Sequence, residues 1–211
     1  MRFTHDQAQT LMEIMRWRRD VRHFDSTPLD DAVLERLRAA MDLTPSVGNA
    51  RPWRVLRVRR PELRAAVIAE FTRCNAEAAE EYDDAARQDY LRLKLAGLHE
   101  APEHLAIFTE TAPVEGRGLG RKTMPQTLLL STAMAIHTLW LAARAENIGL
   151  GWVSILDPAV IADLFDAPPS WEFTAYLCLG HASFDDDTPL LHRSGWQENT
   201  ATLWTEAAAR D

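Results

Sequence analysis

Four arginines lie between positions 16 and 22 of this 211-residue chain, and three of them, Arg18, Arg19 and Arg22, flank Asp20. A guanidinium group offers planar, paired donors that match the oxygens of a phosphate. Because the chain carries a formal net charge of −8, a local cluster of this kind predicts a phosphate-binding loop. A solvated surface run paired with nearby acids is the alternative, and spacing alone leaves the role of Asp20 open.

Two further segments combine small and polar residues. In residues 46–53, SVGNARPW, glycine permits close approach of the backbone to a ligand and Asn49 offers both a donor and an acceptor. A plain turn explains this segment equally well. From Gly149 to Ser154, a helix end, two glycines and a strand bring backbone N–H groups and a hydroxyl together. A glycine helix cap is the simpler interpretation of that segment on its residues alone.

Composition argues against several other classes. The excess of acidic residues disfavours a general surface for nucleic acid or for anionic membranes. Cys74 and Cys178 lie far apart, and neither cysteines nor histidines show metal-ligand spacing, so we expect reduced thiols and no metal site. The first residues lack the apolar core of a secretory signal, which predicts a cytoplasmic protein.

The elements that must position these residues are helices and short strands. Apolar spacing predicts helices over 5–17, 30–43 and 158–165 and helical structure through 61–97. Alternation of large apolar residues with arginines predicts a strand over 53–58, and further apolar segments predict strands over 103–110, 152–156 and 173–179. The acidic run Asp185 to Asp187 is expected to be a solvated turn, and the aromatic last twenty residues are expected to dock on a neighbouring surface.

The stretch from Gly120 to Leu156 holds the most apolar helix candidate. No charged residue occurs from Thr123 to Ala143, which is long enough to raise the question of a membrane span. Seven polar residues interrupt it, so we expect a buried helix, enclosed by its own domain or by a partner subunit. Long helices around a few strands indicate the α+β class.

Taken together, six separated motifs resemble the flavin-dependent nitroreductase superfamily, and within it the branch that makes 5,6-dimethylbenzimidazole. They are, in order, RRDVRHF, TPSVGNARPW, LKLAGLHEAP, LGRKTMPQ, LWLAARAENIGLGWVSIL and LCLG. The resemblance implies one nitroreductase-like domain over 1–211, with long helices around a small mixed β-sheet. It also implies a buried central helix at a homodimer interface and a helical lid insertion around 76–100.

The resemblance implies that reduced FMN is bound as a substrate and, with O2 as co-substrate, is fragmented to 5,6-dimethylbenzimidazole, the lower ligand of vitamin B12. An external flavin reductase is then one source of the reduced FMN. The alternative is an NAD(P)H-dependent nitro- or quinone reductase that keeps FMN as a recycled cofactor. A flavin carrier without catalysis is a third class.

Residue roles follow from the same resemblance. Asp20 and Ser154 are the expected catalytic pair, which moves protons and positions oxygen. The expected FMN-binding set is Arg18, Arg19 and Arg22 at the phosphate, Ser46 and Asn49 along the ring, and Val21, Gly151 and Trp152 beside it.

Two positions depart from the superfamily pattern. Arg51 stands where a glutamine usually precedes Pro-Trp. Relatives also commonly carry a basic residue just after the C-terminal Gly-Trp pair that reaches the phosphate, but here residues 197–199 are Gln-Glu-Asn. The phosphate clamp therefore depends on the N-terminal arginines, with Arg121 or Arg193 as possible helpers, and weaker retention of FMN is expected.

Overall fold

A computed structural model of the chain describes residues 1–207. In chain order these residues form α1 (His5–Trp17), α2 (Asp31–Met41), β1 (Trp53–Arg57), α3 (Pro61–Ala79), α4 (Asp84–Arg92), β2 (Glu103–Glu110), α5 (Thr127–Ala145), β3 (Gly149–Val153), α6 (Pro158–Leu164), β4 (Trp171–Gly180) and α7 (Leu190–Arg193). The α+β class is confirmed. The single domain was predicted over 1–211, and its positions 208–211 lie outside the described residues.

The four strands form one sheet in the order β1-β2-β4-β3, and every hydrogen-bonded pair is antiparallel. The mixed sheet that we predicted is therefore wrong for these strands. The reason is topological: β2 and β3 run in the same direction, joined through α5, but β4 lies between them in the opposite direction. Within residues 1–207, parallel pairing occurs at the single bridge between Asp20 and Leu150.

Both faces of the sheet are covered, and successive residues of β4 alternate between two apolar cores. Leu177 and Leu179 belong to the core formed with α2 and α5, whereas Tyr176 and Cys178 belong to the core formed with α3 and α6. Burial on both faces explains why β4 reads as a nearly continuous apolar run.

Helix α5 is buried on one side only. The side chains of Ile136 and Leu139 are enclosed against the sheet, but Leu130 and Met134 are 52% and 48% exposed. By length and composition α5 is the one helix among residues 1–207 that could cross a membrane, a property it shares with core helices of soluble proteins. Within one chain, therefore, only the side of α5 that faces the sheet is buried as expected.

The helical stretch predicted over 61–97 is interrupted between α3 and α4. Asp83 ends the interruption by capping α4, since its carboxylate accepts a hydrogen bond from the Ala86 amide. Tyr82 and Tyr90 stack at 5.0 Å, and Trp196 packs edge-on against Tyr82 at 5.7 Å. Part of the C-terminal segment therefore docks on α4 of its own chain, while Trp204 remains 95% exposed.

Candidate functional site

The arginine loop, residues 18–22, lies along the free edge of β3. The Val21 amide donates to the Leu150 carbonyl at 3.0 Å, and Asp20 Oδ1 accepts from the Trp152 amide at 2.9 Å. A Cβ atom on Gly151 would collide with the Val21 carbonyl oxygen. Gly151 is therefore required by the close passage of the arginine loop over the strand.

This arrangement corrects two expectations about residues 149–154. We predicted that the glycines form a helix cap or turn and that a strand begins at Trp152, but both glycines lie within β3. Asn147, which follows the C-cap residue Glu146, ends α5 instead by adopting a left-handed φ of 57°. The Ile148 amide donates to the Ala143 carbonyl at 2.8 Å, which closes the helix end without a glycine.

Three donors hold the carboxylate of Asp20. Besides the Trp152 amide, Arg22 donates to Oδ2 from Nε at 3.1 Å and from Nη2 at 2.9 Å. The remaining Arg22 nitrogen, Nη1, donates to the Lys94 carbonyl at 3.2 Å. The Asp20 side chain is 31% exposed and that of Arg22 only 12%, so the carboxylate keeps an open side while its partner is enclosed.

Ser154 directly follows β3 and is exposed. It stands two residues beyond Trp152, the residue whose amide binds Asp20. Two residues of extended chain span about 7 Å. The carboxylate and the hydroxyl of the predicted catalytic pair thus belong to one short stretch of the sheet edge.

Arg18 and Arg19 have donors without protein partners. The Arg18 guanidinium stacks on the Trp140 ring at 4.9 Å, and Trp140 Nε1 donates to the Arg19 carbonyl at 3.0 Å. The Nε atoms of both arginines are buried and have no hydrogen-bond partner within residues 1–207. Burial and the adjacent Arg18 lower the pKa of Arg19, while Asp187 acts in the opposite direction. An anionic group bound beside the two guanidinium groups would relieve the repulsion between the two cations.

The acidic run at 185–187 is only partly the solvated turn that we predicted, because Asp185 and Asp187 are exposed but Asp186 is not. Asp185 pairs with Arg144 at 2.5 Å, and Asp186 pairs with Arg193 and is only 13% exposed. The partners of these two carboxylates, Arg144 and Arg193, lie outside the arginine loop. Arg193, which we named as a possible phosphate contact, is engaged by Asp186 in this arrangement.

The asparagine loop, residues 46–53, is fixed at the other end of α5. The Val47 amide donates to Ser131 Oγ at 3.1 Å, and Ser46 Oγ accepts from the Arg51 amide at 3.0 Å. Gly48 and Asn49 both have positive φ, 58° and 56°. This backbone leaves the Asn49 side chain exposed.

The structure brings some predicted site residues together and leaves others apart. Asp20, Val21, Arg22, Gly151 and Trp152 meet at the edge of β3. The asparagine loop contacts α5 at Ser131 and the arginine loop contacts it at Trp140, nine residues later, which is about 14 Å along a helix. Ser46 and Asn49 therefore do not touch the arginine loop within one chain.

Two participants were missed by the sequence reading. Trp140 supports both Arg18 and Arg19, although 121 residues separate it from Arg19, and its position on an apolar helix gave no sign of this. Lys94 contributes only its backbone carbonyl, which no side-chain pattern can reveal. Among residues 1–207 no group of three or more His, Cys, Asp or Glu side chains could hold a metal ion, and the expectation of no metal site stays a prediction.

Comparison with known proteins places this geometry in a family. The sequence model of the nitroreductase family matches residues 15–181. A protein of Rhodobacter capsulatus named 5,6-dimethylbenzimidazole synthase is 58% identical over 97% of this chain and 99% of its own length. One of the same name from Rhodospirillum rubrum is 52% identical over 87% of each chain.

Solved structures agree on the fold. Iodotyrosine deiodinase bound to FMN and 3-iodo-L-tyrosine superposes with a TM-score of 0.70 at 20% identity, over 95% of this chain and 97% of the other. A nitroreductase with bound FMN from Desulfitobacterium hafniense gives 0.62 at 20% identity, over 82% and 89%. The nitroreductase-like fold is confirmed. The chain belongs to the nitroreductase family, in the branch of the 5,6-dimethylbenzimidazole synthases.

Proposed function

We propose that the protein fragments reduced FMN, with O2 as co-substrate, to 5,6-dimethylbenzimidazole. The observation that carries the proposal is the 58% identity to a 5,6-dimethylbenzimidazole synthase across 97% of the chain. A match of that extent includes the arginine loop, the asparagine loop and Ser154. It leaves little of the chain in which a different activity could reside.

The arginine loop fits the phosphate of FMN. Burial and repulsion from Arg18 lower the pKa of Arg19, and a bound phosphate would relieve that repulsion, so these two arginines would hold the phosphate. Arg22 gives three hydrogen bonds to Asp20 and Lys94, and its expected phosphate contact stays a prediction. Ser46 and Asn49 would line the ring, with Val21, Gly151 and Trp152 beside it.

Reduced FMN, when bound, supplies both the electrons taken by O2 and the carbon atoms of the product. The cleavage of carbon–carbon bonds requires protons to be moved at defined atoms. The Asp20 carboxylate, held on one side and open on the other, would take up and return a proton. The Ser154 hydroxyl would donate a hydrogen bond and relay a proton, and the lid segment, residues 76–100, would exclude water.

A homodimer would complete the site. One chain keeps the asparagine loop about 14 Å from the arginine loop along α5. It also leaves Leu130 and Met134 exposed on that helix. A second copy packed on this face would cover them, in keeping with a protein that we expect to be cytoplasmic and to bind neither nucleic acid nor membranes.

The test is to supply the purified protein with reduced FMN in air and to follow flavin and 5,6-dimethylbenzimidazole by chromatography. An anaerobic sample tests the need for O2. Unchanged flavin after many hours would contradict the proposal. Steady NADH oxidation driven by a nitroaromatic compound, without the benzimidazole, would support the reductase instead, and FMN binding with neither reaction would support a carrier.

A further inference from the structure

Arg22 joins three separate parts of the chain. Its guanidinium holds Oδ2 of Asp20 through two nitrogens and the Lys94 carbonyl through the third. Asp20 in turn holds the Trp152 amide of β3. One side chain, 12% exposed, therefore connects the edge of the sheet to the C-terminal part of the lid segment.

The lid segment rests directly on the arginine loop at this point. A Cβ atom on Gly97 would collide with the ring of Phe24 and approach the Arg22 carbonyl oxygen. Leu98 is 4% exposed, and an ion pair between Lys94 and Glu100 closes the turn. A displacement of residues 94–98 would therefore break contacts with Arg22 and Phe24 first.

We propose that Arg22 is a positioning residue that couples closure of the lid segment to the orientation of the Asp20 carboxylate. The guanidinium is planar and rigid, so its two sets of donors move together. When the Lys94 carbonyl is in place, Arg22 is fixed against Oδ2 and the open side of Asp20 faces outward. When the lid moves away, the orientation of Asp20 is lost, so proton transfer is confined to the closed site. The inference rests on the proposed function for the role of Asp20 and the lid, but not for the coupling itself.

Trypsin can measure the coupling, because it cleaves after Lys94, the residue whose carbonyl Arg22 holds. Cleavage of a folded chain reports local opening. In Arg22→Gln we expect cleavage after Lys94 to become faster by about tenfold, the effect of losing a charge-assisted hydrogen bond. Arg22→Lys, which keeps the charge but not the fork, should fall between wild type and Arg22→Gln and also serves if Arg22→Gln does not fold.

A matched control and a double variant sharpen the result. Arg36→Gln removes an exposed pair with Glu146 and should leave cleavage after Lys94 unchanged. Asp20→Asn weakens the hold on Arg22 and should also speed this cleavage. Combined with Arg22→Gln it should add little, because both changes act on one linkage.

The catalytic measurement separates positioning from ligand binding. Arg22→Gln should slow formation of the benzimidazole by about tenfold or more, while the FMN concentration for half-maximal rate changes less than about twofold. Unchanged cleavage after Lys94 in Arg22→Gln overturns the coupling. So does a large loss of FMN affinity with normal protection of Lys94, which would make Arg22 a direct phosphate ligand. If wild type makes no benzimidazole, the proposed function fails, and the cleavage rates still decide the coupling.

Discussion

Groups of the protein itself orient Asp20. The Trp152 amide fixes one carboxylate oxygen and Arg22 fixes the other, so little reorganisation is left for the moment of reaction. The same three hydrogen bonds would be present if Asp20 only anchored the loop. Substitutions that preserve the anchor and change the chemistry are therefore the informative ones.

Asp20→Asn and Ser154→Ala should still bind FMN but lose product formation, by about 100-fold or more for Asp20→Asn. Asparagine keeps an oxygen for the Trp152 amide, and Ser154 is exposed, so neither change should unfold the protein. FMN binding can be followed by flavin fluorescence and product by chromatography. Wild-type yields from both variants would contradict the catalytic assignments.

Arg18→Ala should weaken FMN binding by about tenfold while leaving binding of riboflavin nearly unchanged. The reason is that riboflavin lacks the phosphate that we assign to the Arg18 and Arg19 donors, and a charge-assisted hydrogen bond is worth about 1.5–3 kcal/mol. Titration of both flavins into wild type and variant measures the difference. Equal losses for the two ligands would show that Arg18 acts on the ring or on the fold.

His104 gives the folded state a pH dependence of its own. The Ala101 carbonyl can only accept a hydrogen bond, so His104 Nε2 carries the proton and Nδ1 accepts from the Tyr176 hydroxyl. Burial lowers the pKa of His104 to about 4, against about 6.5 when unfolded. The folded state therefore favours the neutral ring, and stability is lost as the pH falls from 6.5 towards 4, by up to about 3 kcal/mol.

Urea unfolding at pH 7.5 and at pH 5 tests this. His104→Gln should be less stable than wild type at pH 7.5 but should lose less stability on acidification. Parallel pH slopes in the two proteins would assign the acid sensitivity to other groups.

At the scale of elements, the sequence predicts most of the framework. The strands over 103–110 and 173–179 are found at β2 and within β4, because unbroken apolar patterns mark strands that are buried on both faces. The predicted element boundaries were wrong where a residue has a structural role that is unusual for its type. The glycines of β3 resemble a turn in the sequence, but Gly151 is needed because the arginine loop passes too close for a side chain. At the end of α5, Asn147 takes the left-handed position where a glycine was expected.

The site was less predictable than the fold. The motifs predicted roles for Asp20 and Arg22, which stay predictions, but not their partners, since one partner is the Trp152 amide and another is the Lys94 carbonyl. Backbone groups are common to all residues and leave no pattern in a sequence. The strand directions also escaped prediction, because placing β4 between β2 and β3 is a long-range property that local patterns do not contain.

Gly151→Ala should destabilise the protein by about 2 kcal/mol or more, because the new Cβ would collide with the Val21 backbone carbonyl. Gly149→Ala is the matched control, since its Cβ would be 3.0 Å from side-chain atoms of Val21 that can shift. Thermal unfolding of both variants gives the comparison. Equal and small effects would show that the arginine loop is not held tightly over β3.

At the scale of the whole molecule, the exposed apolar side of α5 is where we propose that a second copy packs. Helix α1 has no buried residue although Leu11, Met12 and Met15 lie along it. Leu130 and Met134 are exposed on α5, which packs beside α1. A surface of exposed apolar residues often marks a protein–protein interface.

If the proposed dimer forms, Met134→Glu should shift it towards monomer and weaken FMN binding, because a charge would have to be buried in the interface. Val160→Glu is the matched control, since Val160 is 42% exposed on α6, outside this surface. Sedimentation velocity over a range of concentrations reads the oligomeric state. A wild type that stays monomeric at high concentration would contradict the dimer, as would a variant that dimerises normally.

The pairing of the arginine loop with the second half of the chain has a consequence for how the protein is made. Asp20 pairs with Leu150, and the next residues pair with the segment after β4, where the Asp25 amide donates to His181 and the Ser183 amide to His23. The arginine loop is made early in synthesis, but its backbone partners in β3 and in the segment after β4 are made late. Until β3 has emerged, Asp20 has no strand edge to pair with. Until residue 183 has emerged, His23 and Asp25 lack their backbone partners, so we expect that a shorter nascent chain cannot bind flavin with this loop. Truncated or stalled chains should consequently fail to bind FMN even when β1 and β2 have already paired.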